Sequence, residues 1–179
     1  MEYKTVEDIY AANASIREKF KGSVAALTEE QLNAHPPGIN EWSVAQIVEH
    51  VAIVNGGALR ICAKLLGKAE AAGKTNDGSV YISPEFVEAA STAVGQKLEA
   101  PEMVRPINNL PIAESLAKLD ELQGHYYQLK EKFETVDGVD AKFPHPYFGD
   151  LSAQEWLLLT GAHEIRHLKQ IRRVLEAIR

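Results

Sequence analysis

The chain has 179 residues, 45% of them hydrophobic and 25% charged, which is one domain's worth of sequence, 1–179, with enough apolar material for a full core. Lys and Arg total 19 against 25 Asp and Glu, a formal charge of −6, which argues against a sequence-independent grip on a nucleic-acid backbone. One cysteine, Cys62, excludes an intrachain disulfide framework and a Cys-rich zinc ribbon, and it fits a reducing, cytoplasmic compartment.

No apolar run reaches the ~18 residues a membrane span needs, and the acidic opening MEYKTVEDIY does not read as a signal peptide. The densest basic stretch, Arg166, Lys169, Arg172, Arg173 and Arg179, falls along one helical segment and reads as a solvated face.

Four segments carry helical periodicity. In the first, Val6, Ile9, Ile16, Phe20, Val24 and Leu27 recur at three- and four-residue steps and mark one buried stripe. The second opens at Ser43 with Gln46 three places on, a capping-box pattern, and runs through Val44, Ile47, Val51, Val54, Ala58, Ile61 and Leu65 to a stop at Gly67. The third follows Pro111 through Leu116, Leu119, Leu122, Tyr126, Leu129 and Phe133, ending before Asp137-Gly138. The fourth begins at Ser152 with Glu155 three places later and continues through Leu158, Gly161, Ile165, Leu168, Ile171 and Val174 towards the C-terminus.

Strand signals are nearly absent, residues 79–82 being the only β-like run. Residues 67–110 form the longest interruption, with a short helix expected after Ser83-Pro84 and an extended stretch from Pro101 to Pro106. The expected fold is all-α: a four-helix bundle with a long insertion between its second and third helices, long enough to cross the bundle.

Histidines 163 and 167 stand four apart on the fourth helix, so both rings project from one face and can close on a single metal ion. His50 lies on the inward line Ile47, His50, Val54 of the second helix. Three inward imidazoles from two helices would leave coordination positions open, as in catalytic sites, with Glu49, Gln46 or a backbone carbonyl available to the outer ring nitrogens. Spacing alone is equally compatible with three separate core histidines bonded to neighbours.

Taken in order, Glu41-Trp42-Ser43 through His50, the stretch His145-Pro146-Tyr147-Phe148-Gly149-Asp150-Leu151-Ser152 leading to Glu155-Trp156, and His163 through Ile171 resemble the DinB/YfiT-like metalloprotein superfamily. The resemblance covers nearly the whole chain. It implies a four-helix bundle with one divalent metal, zinc or nickel, held by histidines that map onto His50, His163 and His167. It also implies a homodimer and a small-molecule substrate, with a low-molecular-weight thiol such as bacillithiol or mycothiol taking part in transfer or isomerisation.

His163-Glu164-Ile165-Arg166-His167 also spells H-E-x-x-H, the zincin signature in which the glutamate activates water. Only 12 residues follow His167, and the sole acid among them, Glu176, would lie about 13 Å along the same helix, too far to complete that site. Glu164 is therefore expected on the surface, pairing with a Lys or Arg one turn on. Asn13 is expected as a rim amide that could line a pocket, and His125 as a satisfied rim histidine, the alternative being a fourth ligand or a group behind the ligands. His35 and His145 are expected in solvent-facing loops, and Cys62 in the packing.

Overall fold

The computed structural model describes residues 3–36, 41–107 and 110–179. Four long helices, α1 (Val6–Gly22), α3 (Val44–Ala71), α5 (Ile112–Thr135) and α6 (Ala153–Ala177), make the bundle. Between them lie two short helices, α2 (Glu29–Asn33) and α4 (Pro84–Thr92), a 3₁₀ turn at Glu102–Val104, and a hairpin of β1 (Lys142–His145) and β2 (Gly149–Ser152). Helix α3 packs against both α5 and α6, and α1 packs mainly against α6.

Both expected capping boxes are present: Ser43 accepts from the Gln46 amide and Ser152 from the Glu155 amide, and each partner side chain reaches back to the cap amide. Two more boxes, Thr5 with Asp8 at α1 and Thr28 with Gln31 at α2, are present, and α2 itself was not expected from the sequence. Helix α1 stops at Gly22, and Val24 stays in the core from the turn that follows.

Helix α3 overruns the expected stop at Gly67. It ends instead at a left-handed Gly73, at φ 69°, where the Gly73 amide bonds to the Glu70 carbonyl and the Lys74 amide to Ala69. That pair of bonds closes a Schellman motif. The hairpin is a second correction: Phe143 pairs with Leu151 and His145 with Gly149, whose φ of 75° lets the chain turn, and Ser152 both ends β2 and caps α6. Residues 79–82 form no strand; Ser79 makes only an isolated bridge to Thr5.

The apolar interior falls into two clusters. One gathers Val6, Ile9, Cys62, Leu66, Phe133 and Leu157; the other gathers Phe20, Ile47, Val51, Leu119, Ile171 and Val174. On each of the four helices the two sets occupy opposite ends, and a polar layer separates them. In that layer Arg17 from α1 meets Glu164 from α6, Asn55 from α3 and the Leu119 carbonyl of α5.

Close approach of α1 and α6 at this level depends on Gly161, where an added Cβ would stand 2.1 Å from Asn13 Oδ1. Asn13 cannot swing away freely, because its Nδ2 donates to the Leu157 carbonyl at 2.9 Å and to Thr160 Oγ1 at 3.2 Å. A Gly161→Ala substitution is expected to destabilise the protein by about 1–3 kcal/mol, read as a lower urea midpoint with an unchanged slope.

Candidate metal centre

His50 reaches the bundle's interior from the second turn of α3, and His163 and His167 reach it from consecutive turns of α6. The three rings converge. His163 Nε2 lies 3.2 Å from His50 Nε2 and 3.0 Å from His167 Nε2, and one ligand atom from each residue falls within 4.8 Å of the others. Imidazole nitrogens bound to one ion at about 2.1 Å would stand roughly 3–3.4 Å apart, so these separations fit a shared cation.

The outer nitrogens decide the tautomers. His50 Nδ1 is 2.7 Å from the Val104 carbonyl, which only accepts, so that nitrogen carries the proton and Nε2 turns a lone pair inward. His167 Nδ1 is 2.8 Å from Gln170 Oε1 and is fixed the same way. His163 can donate from Nε2 to only one of its neighbours, and its buried Nδ1 has no hydrogen-bond partner among the described residues. Without an ion the cluster holds more inward lone pairs than protons; a cation bound by all three Nε2 atoms removes that conflict.

Burial keeps the rings neutral. It lowers the His50 pKa, and with the neighbouring His167 and His50 it holds His163 well below the ordinary imidazole value. Burial also pushes His167 down to about 3, with His50 adding to the effect. At neutral pH no proton has to be displaced before a cation binds.

A model of the DinB superfamily matches residues 14–171, which include all three histidines. The chain belongs to the DinB superfamily. Among its relatives, the uncharacterized protein YuaE of Bacillus subtilis (strain 168) is 24% identical over 158 residues, covering 85% of this chain and 88% of YuaE. Two solved structures share the fold with a TM-score of 0.59 and 21% identity, each covering 94% of this chain. One is TT2238, a four-helix bundle protein, 98% of which is covered. The other is YfiT from Bacillus subtilis, 86% covered and described as a probable metal-dependent hydrolase with an unusual four-helix bundle topology.

In this DinB-superfamily chain the other sequence candidates fall away from the cluster. His125 is exposed on α5, 4.0 Å from Glu121, and is not a fourth member. Asn13 lines a small cavity with Arg17, Asn55 and Glu164 near the polar layer and bonds α6 rather than water alone. Cys62 is buried in the packing, as expected, with its Sγ 3.6 Å from the Ala153 carbonyl. Gln46 is spent on the Ser43 cap and Glu49 accepts from the Leu110 amide, so the outer nitrogen of His50 meets the Val104 carbonyl instead.

Two expectations are overturned. Glu164 is not on the surface: its side chain is 3% exposed and forms a buried ion pair with Arg17 at 2.5 Å. His145 is not a solvent-facing loop residue but the half-buried end of β1, stacked 4.6 Å from the Phe148 ring, where burial lowers its pKa to about 4.

Sequence reasoning offered a backbone carbonyl to the outer nitrogens without placing it, and missed Gln170. Gln170 had a signal, since it stands three residues after His167 on one helix face. The Val104 carbonyl had none, because backbone atoms leave no trace in residue identity.

Proposed function

We propose that this chain is a divalent-metal-dependent enzyme acting on a small molecule, with zinc or nickel held by His50, His163 and His167. The observation that carries the reading is the meeting of three neutral Nε2 atoms from α3 and α6 at separations that suit one ion. When bound, a divalent cation on three uncharged imidazoles supplies the Lewis acidity that lowers the pKa of a water or thiol towards neutrality.

The chain's own part is to hold that donor set. The Val104 carbonyl and Gln170 accept from the outer nitrogens of His50 and His167, which favours the tautomers whose Nε2 lone pairs face the shared site. Trp42, with its ring 4.8 Å from that of His50, packs against the site. No carboxylate joins the cluster among the described residues, and Glu164 is held by Arg17, so the HExxH match supplies no base.

The proposed substrate is a small electrophile. A low-molecular-weight thiol as the nucleophile gives S-transfer or isomerisation, and water gives hydrolysis; the description of YfiT supports the hydrolytic course and the family resemblance the thiol one. The proposal includes a homodimer, one domain per chain and a cytoplasmic setting. A buried free Cys62 suits that setting, and among the described residues no helix is long and apolar enough to cross a membrane.

The test is turnover of a panel of thiol–electrophile pairs and esters by chelator-treated protein before and after addition of zinc or nickel. Activity that appears with the ion and is absent from His50→Ala supports the reading. A metal-dependent rise in melting temperature with no turnover of any panel member overturns it in favour of a non-catalytic metal-binding bundle.

A further inference from the structure

The insertion between α3 and α5 is unevenly attached. From residue 93 to 107 only Pro106 is buried, and the sole regular element is the 3₁₀ turn Glu102–Val104. Met103 and Ile107 point outward, 86% and 75% exposed. A segment with so little apolar burial belongs to the part of a structure that opens locally.

What ties it down is a set of side-chain bonds to its backbone carbonyls. Arg166 of α6 donates from Nη2 to Gln96 at 2.9 Å, and Tyr147 of the hairpin turn donates its hydroxyl to Glu99. A third tie comes from the histidine cluster itself, where His50 Nδ1 donates to Val104 at 2.7 Å.

We propose that residues 93–107 form a strap over the histidine cluster, and that its closure is coupled to cation occupancy through the two nitrogens of His50. The proposal rests on the metal-binding reading above. A cation on His50 Nε2 requires the proton on Nδ1, which is the tautomer that bonds Val104. Without the cation, His50 can carry its proton on Nε2 and donate to His163 Nε2. Its Nδ1 lone pair then faces the Val104 carbonyl oxygen, two acceptors meet, and the tie is lost. An empty cluster therefore holds the strap less tightly than a filled one, in which the cation fixes the tautomer that donates to Val104.

Linkage makes the coupling reciprocal: loosening the strap elsewhere must weaken the cation. Tyr147 offers that handle, since it is 43% exposed, lies outside the cluster and bonds the strap through its hydroxyl to Glu99.

The experiment is amide hydrogen exchange on the full chain, chelator-treated and then loaded with zinc ion alone, with zinc titrated in parallel. Zinc is expected to slow exchange at 93–107 by about fivefold or more while α1 and α5 change little. Tyr147→Phe is expected to speed exchange there and to weaken zinc severalfold, with an unchanged melting temperature for the zinc-free protein. Zinc that binds without altering exchange at 93–107, or a Tyr147→Phe strap that loosens with no change in zinc affinity, overturns the strap and leaves the metal centre standing. A chain that binds no zinc overturns both.

Discussion

A His167→Ala variant purified without an affinity tag is expected to bind zinc or nickel at least about a hundredfold more weakly than the parent chain, and His50→Ala to behave alike. Removing a group that merely orients a metal-bound histidine costs about 10–100-fold in affinity, so removing the histidine must cost at least the upper end of that range. His167 is 6% exposed and shares its Nε2 contact with His163 at 3.0 Å, so no other side chain of the cluster can take its place. Gln170→Ala sets the internal scale: it removes the acceptor at 2.8 Å that fixes the His167 tautomer and is expected to weaken the ion less than loss of the ring. Circular dichroism separates loss of the site from loss of the fold. Equal metal content in the parent and both alanine variants would remove these residues as ligands.

The histidines could be found in the sequence because their placement is local on each helix. His163 and His167 are one turn apart on α6, and His50 follows Ile47 by three on the inward line of α3. Helix starts were equally legible, since Ser43 with Gln46 and Ser152 with Glu155 are capping patterns within four residues. What escaped depends on distance or on backbone. β1 alternates over only four residues, too few to stand out, and β2 does not alternate, being exposed at Gly149 and Asp150 but buried at Leu151 and Ser152. Helix α3 passed Gly67 because a glycine ends a helix only where the chain turns left-handed, as it does at Gly73.

Glu164 was misread by type rather than by position. Leu157, Thr160, Glu164, His167 and Ile171 descend α6 in steps of three and four, so the carboxylate lies on the line that enters the core. Arg17 sits likewise between Asn13 and Phe20 on the inward line of α1. Each charge alone looks like an exception to be turned outward; the pairing that reconciles them spans 147 residues of sequence and is visible only in the fold. The bundle therefore places two polar systems side by side, a neutral cluster on the α3 side of α6 and a charged layer on its α1 side.

That arrangement predicts the outcome of Glu164→Gln. The substitution leaves the Arg17 guanidinium buried without its counter-charge and is expected to lower stability by about 3–5 kcal/mol. Neighbours offset little of this, because Arg17 already donates to the Leu119 carbonyl at 2.7 Å and to Asn55 at 3.2 Å. Glu164 stands about 100° round the helix from His163 and about 60° from His167, but both its carboxylate oxygens are bound to Arg17 of α1 and neither joins the ring nitrogens. Zinc content and turnover of the folded variant are accordingly expected to match the parent. Replacing the whole pair, Arg17→Met with Glu164→Leu, is expected to recover most of the lost stability, since two apolar side chains of similar size need no mutual solvation. A Glu164→Gln protein that melts like the parent, keeps its ion and loses activity would instead make the glutamate the base of an HExxH hydrolase, and the ion pair with Arg17 would have to open for catalysis.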